Sequence, residues 1–413
     1  MKTVLEQAKK AKEASILLRK ATSKQKNDFL LILSKLLIQN SDKILKENAK
    51  DLTLNKNITS AMKKRLEISK AGLENISKAV FGLSKFPDPV GKVVSVHKRK
   101  DGLIINRVRT PIGVIACIFE SRPNVIIDVA SLCIKSGNAV IVRGGKEALN
   151  SNTILLNLIQ KALAKSNLPK DSVQKLEDRK YEAINELISL EKYIDLVIPR
   201  GREELINSVV KNSRIPVIKH VRGLCHCYVD KDADLKKAVN IILNAKTSNP
   251  ATCNSIETIL IHKMVVKKIL PKLLEKLFEK KVEVRGDETV VKFSNKCKKA
   301  TEQDWGEEYL ALTVSIKVVN SYDEAIKHIS KYSSSLTDSI ITENKNTAEK
   351  FKQDVDSAVV LINASNRLSD GGEFGLGGEI GISTARIHMR GPMGLEDLTV
   401  TKYIVVGNGH IRK

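Results

Sequence analysis

The sequence predicts an α/β protein of two doubly wound α/β domains. Three observations carry that prediction. Continuous apolar runs, such as IGVIACIF at 112–119 and NAVIV at 138–142, read as strands buried on both faces and alternate with stretches of helical periodicity. Glycines and cations stand where those runs end, as in Arg143-Gly144-Gly145-Lys146 and Pro199-Arg200-Gly201-Arg202. A second α/β set then follows Cys253, within a chain of 413 residues, a length natural for two or three domains.

Residues 1–80 read as helical, with apolar residues at i, i+3, i+4 and lysines between them over 11–19, 26–45 and 61–79. The FPDPVG stretch at 86–91 breaks the pattern, and 92–109, alternating and basic, reads as a hairpin turning at Asp101-Gly102. Strands follow at 112–119, 138–142, 193–198, 215–219 and 226–230, with helices at 125–135, 152–166 and 203–212. Ligands gather at the carboxyl ends of such parallel strands, so 120–124, 143–146 and 200–201 are expected to line one cleft. A helix at 236–245 leads through a turn to a strand at 256–261. Helices at 264–280, 321–331 and 348–354 then alternate with strands at 281–284, 313–319, 338–342 and 358–363. SDGGEFGLGG at 369–378 carries Phe374 and Leu376, which mark it as a packed loop beside a ligand rather than a linker, and a last strand runs over 398–406.

Composition narrows the class. Hydrophobic residues make up 42% and charged residues 28%, as in a soluble globular protein. No apolar run reaches the roughly 18–20 residues of a membrane helix, and the first residues lack the apolar centre of an export signal. The six cysteines are scattered without a framework, so a cytoplasmic protein with reduced thiols is expected. Cys225-His226-Cys227 lacks a second pair at zinc spacing and reads as strand, not metal site. The formal net charge is +23, but the lysines are spread over nearly every helical segment and aromatics are only 4%. That pattern speaks against a nucleic-acid platform and for solvated faces or an anionic small substrate.

One cysteine stands apart. Cys253 lies in NAKTSNPATCNSIETILIH, after a helix and before a strand, where Pro250 forces its neighbour from helical geometry and Ala251 and Thr252 leave room for approach. Such a junction can present a thiolate nucleophile, with nearby backbone N–H groups to hold an oxyanion; the alternative is one more buried thiol. Arg143 and Lys146, flanking two glycines, suit a phosphorylated ribose or else are surface cations of an ordinary turn.

The motifs PIGVIACIFESRPNV, SGNAVIVRGGKEA, YIDLVIPRG, VIKHVRGLCHCYVD, NAKTSNPATCNSIETILIH and DGGEFGLGGEIGISTARIHMRGPMGLEDL, in that order, resemble the gamma-glutamyl phosphate reductase (glutamate-5-semialdehyde dehydrogenase) family. That family is a branch of the aldehyde dehydrogenase superfamily acting in proline biosynthesis. The resemblance runs from about residue 5 to the C-terminus. It implies an aldehyde dehydrogenase-like fold with a cofactor domain over 1–235 (returning at about 364–390), a catalytic domain over 236–363, and an oligomerisation flap from 92–110 and 391–413. It implies Cys253 as the catalytic nucleophile and NADPH/NADP+ as cofactor without a metal. Arg143, Gly144, Lys146, Gly201 and Glu308 would meet the cofactor, Lys146 favouring NADP. Arg122, Asn124, Asn254 and Lys246 would meet the substrate, with a structural salt bridge the alternative for Arg122 and a helix-surface place the alternative for Lys246. The implied partners are glutamyl 5-phosphate, made by glutamate 5-kinase, and further copies of the chain, with no membrane or nucleic acid. Two positions depart from hydrolytic aldehyde dehydrogenases. His220-Val221 stands where they carry a glutamate base, and Ser121 falls near their oxyanion asparagine. Both departures point to a thioester that outlives water attack. The other readings are a hydrolytic aldehyde dehydrogenase on another semialdehyde, or a basic nucleic-acid-binding protein.

Overall fold

The N-terminal helices begin at capping boxes. In the computed structural model, which describes residues 2–55, 58–178, 180–219 and 222–412, Thr3 caps α1 (Val4–Leu18) reciprocally with Glu6, and Thr22 caps α2 (Ser23–Gln39) with Gln25. The helix expected over 26–45 is two helices. Asn40 ends α2, its side-chain amide bonding the Leu36 carbonyl at 2.8 Å, and α3 (Ser41–Leu54) starts at the next residue. The segment 61–79 likewise divides into α4 (Ser60–Leu66) and α5 (Lys70–Ser84), the latter capped by Ser69 through the Gly72 N–H. The apolar periodicity runs on across both breaks, so polar caps rather than pattern decide them.

A hairpin of β1 (Val93–Lys98) and β2 (Ile104–Pro111) follows. Next come β3 (Val114–Phe119), α6 (Val125–Lys135), β4 (Ala139–Arg143), α7 (Leu149–Lys165), β5 (Val173–Lys175), α8 (Tyr181–Leu187), β6 (Leu196–Arg200) and α9 (Glu203–Asn212). The strands form a parallel sheet in the order β5-β4-β3-β6. All six residues of β3 are buried, as its unbroken apolar sequence requires. Residues 215–219, expected as a strand, contribute only one isolated bridge, Val197 to Val217. The polar segments of β5 and α8 gave no periodic signal to predict them.

The second parallel sheet is built from β7 (Cys225–Val229), α10 (Leu235–Thr247), β8 (Ile256–His262), α11 (Val266–Glu279), β9 (Glu283–Gly286), β10 (Lys298–Lys299) and β11 (Thr313–Val319). It is completed by α12 (Tyr322–Tyr332), β12 (Thr337–Ile341), α13 (Lys345–Asp354) and β13 (Val359–Ile362). Its order is β10-β9-β11-β8-β7-β12-β13. One face packs Ile256, Ile259 and Ile261 with Ile242, Ile269 and Leu273 of α10 and α11. The other packs Tyr228, Leu260 and Val319 with Ala325, Ile329 and Phe351 of α12 and α13. This is the doubly wound arrangement the alternation predicts.

A short pair of strands, β14 (Gly381–Ser383) and β15 (Gly391–Met393), precedes β16 (Thr399–Val406), which pairs antiparallel with β2 to make a three-stranded sheet β1-β2-β16. The chain divides into one unit of Met1–Lys219, Gly375–Gly381 and Met393–Lys413 and another of His220–Phe374 and Ile382–Pro392. The division therefore falls some fifteen residues before the expected boundary at 235. The reason is that β7 is hydrogen-bonded between β8 and β12, which commits it to the second sheet.

Candidate active site

In the first unit β3 pairs in parallel with β4 and β6, so their exits share one edge. The structure does bring 120–124, 143–146 and 200–201 together. Glu120 lies over the exit of β6, its Oε2 accepting the Arg202 N–H at 2.9 Å, and a Cβ on Gly201 would come within 2.7 Å of the same oxygen. Ser121, in left-handed backbone with φ 54°, donates both its N–H (2.7 Å) and its hydroxyl (2.9 Å) to Glu147. Gly144 leaves no room for a side chain, since a Cβ there would stand 2.3 Å from Asn152 Nδ2 and 3.1 Å from the Phe119 ring. Arg143 is half-buried and Lys146 exposed at the exit of β4. Asn124 precedes α6 and donates to Asp128 at 3.0 Å; burial pushes that carboxyl up to about 6 against this bond.

In the second unit the converging edge is the other one. β7, β8, β11 and β12 run parallel, and the segments that enter them meet: Gly223 before β7, Cys253 before β8, Glu308 before β11 and Ser334 before β12. The Gly223 N–H donates to Glu308 Oε1 at 2.8 Å, and the Leu224 N–H to Ser334 Oγ at 2.9 Å. A Cβ on Gly223 would lie 2.0 Å from the Cys253 carbonyl oxygen and 2.4 Å from its Cα, so only glycine allows the two backbones this close. The Cys225 thiol donates to the Cys253 carbonyl at 3.3 Å. The turn itself is pinned by Thr252 Oγ1 to the Asn249 carbonyl (2.8 Å) and by the Ser255 N–H to the Thr252 carbonyl (3.0 Å). Cys253 is partly exposed, packed against Cys225, Leu336 and Ile382. Burial pushes the Cys117 and Cys227 thiols up to about 12 and holds Cys133 and Cys225 well above their ordinary value, which leaves those four poor nucleophiles.

Several expected roles meet a different environment. Lys246, expected at the substrate or else on the helix surface, is fully buried in the last turn of α10. Its ammonium bonds Glu257 Oε2 at 2.6 Å and the Ile256 carbonyl at 3.0 Å, so it faces the interior of the second unit. Asn254, expected at the substrate, is also buried, donating to the Ser369 carbonyl at 2.9 Å and accepting from Arg367. It anchors the start of the glycine-rich segment instead. Glu308, expected at the nicotinamide ribose, has one oxygen on the Gly223 amide. The Glu120 carboxylate covers Gly201, so an anion can lie there only if Glu120 turns aside. Arg122 is half-buried in the turn after β3. In the glycine-rich segment Leu376 packs against Gly394 as expected, whereas Phe374 is exposed. His220 and Val221, expected in place of the glutamate base, lie outside the described residues. Sequence reading missed Gly223 and Glu257; an Arg-Gly pair before an apolar strand and an acid inside one are the signals that could have found them. Among the described residues no cluster of three or more His, Cys, Asp or Glu could hold a metal ion, and no helix is long and apolar enough to cross a membrane.

Comparison with known proteins identifies the family and the fold. Residues 1–293 match the aldehyde dehydrogenase family. The chain is 48% identical over 414 residues to a gamma-glutamyl phosphate reductase of Clostridium botulinum, covering 100% of both chains. The crystal structure of a gamma-glutamyl phosphate reductase from Thermotoga maritima superposes with a TM-score of 0.95 at 43% identity, again over 100% of both chains. An engineered glycolyl-CoA reductase with bound NADP+, 15% identical over 98% of this chain and 97% of its own, shares the fold with a TM-score of 0.72. The chain is therefore an oxidoreductase that belongs to the aldehyde dehydrogenase family and, within it, to the gamma-glutamyl phosphate reductases.

Proposed function

We propose that the protein reduces L-glutamyl 5-phosphate to L-glutamate 5-semialdehyde and phosphate with NADPH, through a thioester on Cys253, as a step of proline biosynthesis. The observation that carries the reading is the partly exposed Cys253, held on a pinned turn with Gly223 and Glu308 behind it. The Cys253 thiolate attacks the acyl carbon, phosphate leaves with the bonding electron pair, and the acyl group remains on sulfur. The Cys253 backbone amide steadies the acyl oxygen as charge develops on it. NADPH supplies the hydride that reduces the acyl group, and collapse of the resulting thiohemiacetal returns the thiolate.

The cofactor reading is supported by Arg143 and Lys146 at the exit of β4, where the cations suit a 2′-phosphate, while Gly144 beside them gives its side-chain space to Asn152 and Phe119. Arg122 suits the acyl phosphate, since a guanidinium forks onto phosphate oxygens. The homo-oligomer reading draws on the three-stranded sheet, which leaves Val93, Val96, Tyr403, Val405 and Val406 at least half exposed. A cytoplasmic location fits a biosynthetic enzyme with reduced thiols. Cys253→Ser is expected to cut turnover by about three orders of magnitude while NADPH still binds, read by fluorescence titration. Retained turnover would sink the assignment of the nucleophile.

A further inference from the structure

Glu257 is a buried carboxylate with no part in the chemistry above. The β7–β8 pairing steps from Cys225–Ile256 to His226–Thr258, which leaves Glu257 as an extra residue on β8. Bulges in parallel sheets are rare, and bulges collect beside active sites, where they re-aim a side chain. This one places Ile256 on the same face as Ile259 and Ile261, and beside it Glu257 meets Lys246 at 2.6 Å, both side chains fully buried. Burial pushes the Glu257 carboxyl up to about 7 and the Lys246 ammonium down, and each is opposed chiefly by its partner. A buried pair of this kind adds little stability over apolar residues of the same volume, so its presence asks for another role.

Its place supplies one. Lys246 lies in the last turn of α10 and Glu257 is the second residue of β8, so the pair spans the neck of the loop that carries Cys253. Ser255 Oγ, donating to the Ala245 carbonyl at 3.2 Å, ties the same neck a second time. The other Glu257 oxygen accepts the Leu310 N–H at 3.4 Å, and Leu310 sits in left-handed backbone with φ 50°. Two residues earlier, Glu308 holds the Gly223 amide, and Gly223 lies against the Cys253 backbone. We propose that Lys246 and Glu257 form a positioning pair that fixes the Cys253 loop against the Glu308–Leu310 segment, and so sets where the thiol stands relative to that carboxylate.

The inference rests on Cys253 as nucleophile, and its test reads the thiol directly. The double variant Lys246→Met/Glu257→Leu keeps volume and removes both charges. Its melting temperature is expected to match or exceed the parent's, with kcat down about 100-fold, KM within twofold, and alkylation of Cys253 by iodoacetamide, followed by mass spectrometry, slowed about tenfold. Parental turnover and alkylation in the folded double variant would make the pair structural only and overturn the proposal. Should that variant not fold, Glu257→Gln keeps the size and an acceptor for Leu310: slowed alkylation supports the proposal and a parental rate overturns it. Alkylation needs no substrate, so a parent protein without reductase turnover would refute the function while leaving this test intact.

Discussion

Gly223 and Cys253 lie closer than any side chain on the former would permit, and the proposed thioester chemistry turns on that contact. An added methyl would stand 2.0 Å from the Cys253 carbonyl oxygen, so the turn that presents the thiol must shift by about an ångström or more to admit it. Misplacements of that size cost on the order of a hundredfold in rate. Gly223→Ala is therefore expected to lower kcat about 100-fold with the fold retained, checked by steady-state kinetics beside circular dichroism. Activity within threefold of the parent would show that the loop has slack the packing denies. This contact was not legible in the sequence. Cys253 could be picked out because a helix, a proline turn and a strand surround it locally, whereas Gly223 meets it through pairing of strands some thirty positions apart.

At the scale of elements, the face of the second sheet opposite the isoleucines carries a buried polar stack. His226 of β7 donates its backbone N–H to Asp338 of β12 at 2.8 Å, and the Ser333 hydroxyl donates to the same carboxylate at 2.6 Å. The His328 ring of α12 stands edge-on to His226 and to Trp305, with ring centroids 5.5 Å away in each case. Burial, with His226, Lys317 and Lys331 nearby, pushes the His328 imidazole down to about 2. A folded value below the unfolded one means that only the unfolded chain takes the proton, so stability is complete above about pH 6.5 and is lost progressively as pH falls below it. At one proton this amounts to about 2 kcal/mol by pH 5. The urea midpoint followed through Trp305, the single tryptophan of the chain, is expected to fall between pH 7 and 5 and to fall less in His328→Leu. Equal falls in the two proteins would place the acid sensitivity elsewhere. At this scale the elements with long apolar runs were readable, because β3, β4 and β8 are buried on both faces. Polar punctuation was less so: Asn40 divides a periodic stretch, and the bulge at Glu257 is invisible in IETILIH, which scans as one plain strand.

For the molecule as a whole, the two parallel sheets use opposite edges. Exits of β3, β4 and β6 gather the cations and glycines of the first unit, in line with the rule for open α/β sheets. Entries to β7, β8, β11 and β12 gather the thiol and carboxylate of the second. Repetition of the strand–helix pattern revealed both sheets, and collinear motifs over nearly the full length revealed the family. What the pattern could not reveal was the division near residue 219, because β7 reads as one more strand of the first series until its partners are known. The central claim is that Cys253 forms a thioester resolved by phosphate and not by water. It is tested most directly by NADP+ reduction with glutamate semialdehyde, with and without phosphate. Turnover that requires phosphate is the predicted result; equal turnover in its absence would make the protein a hydrolytic aldehyde dehydrogenase and contradict the account.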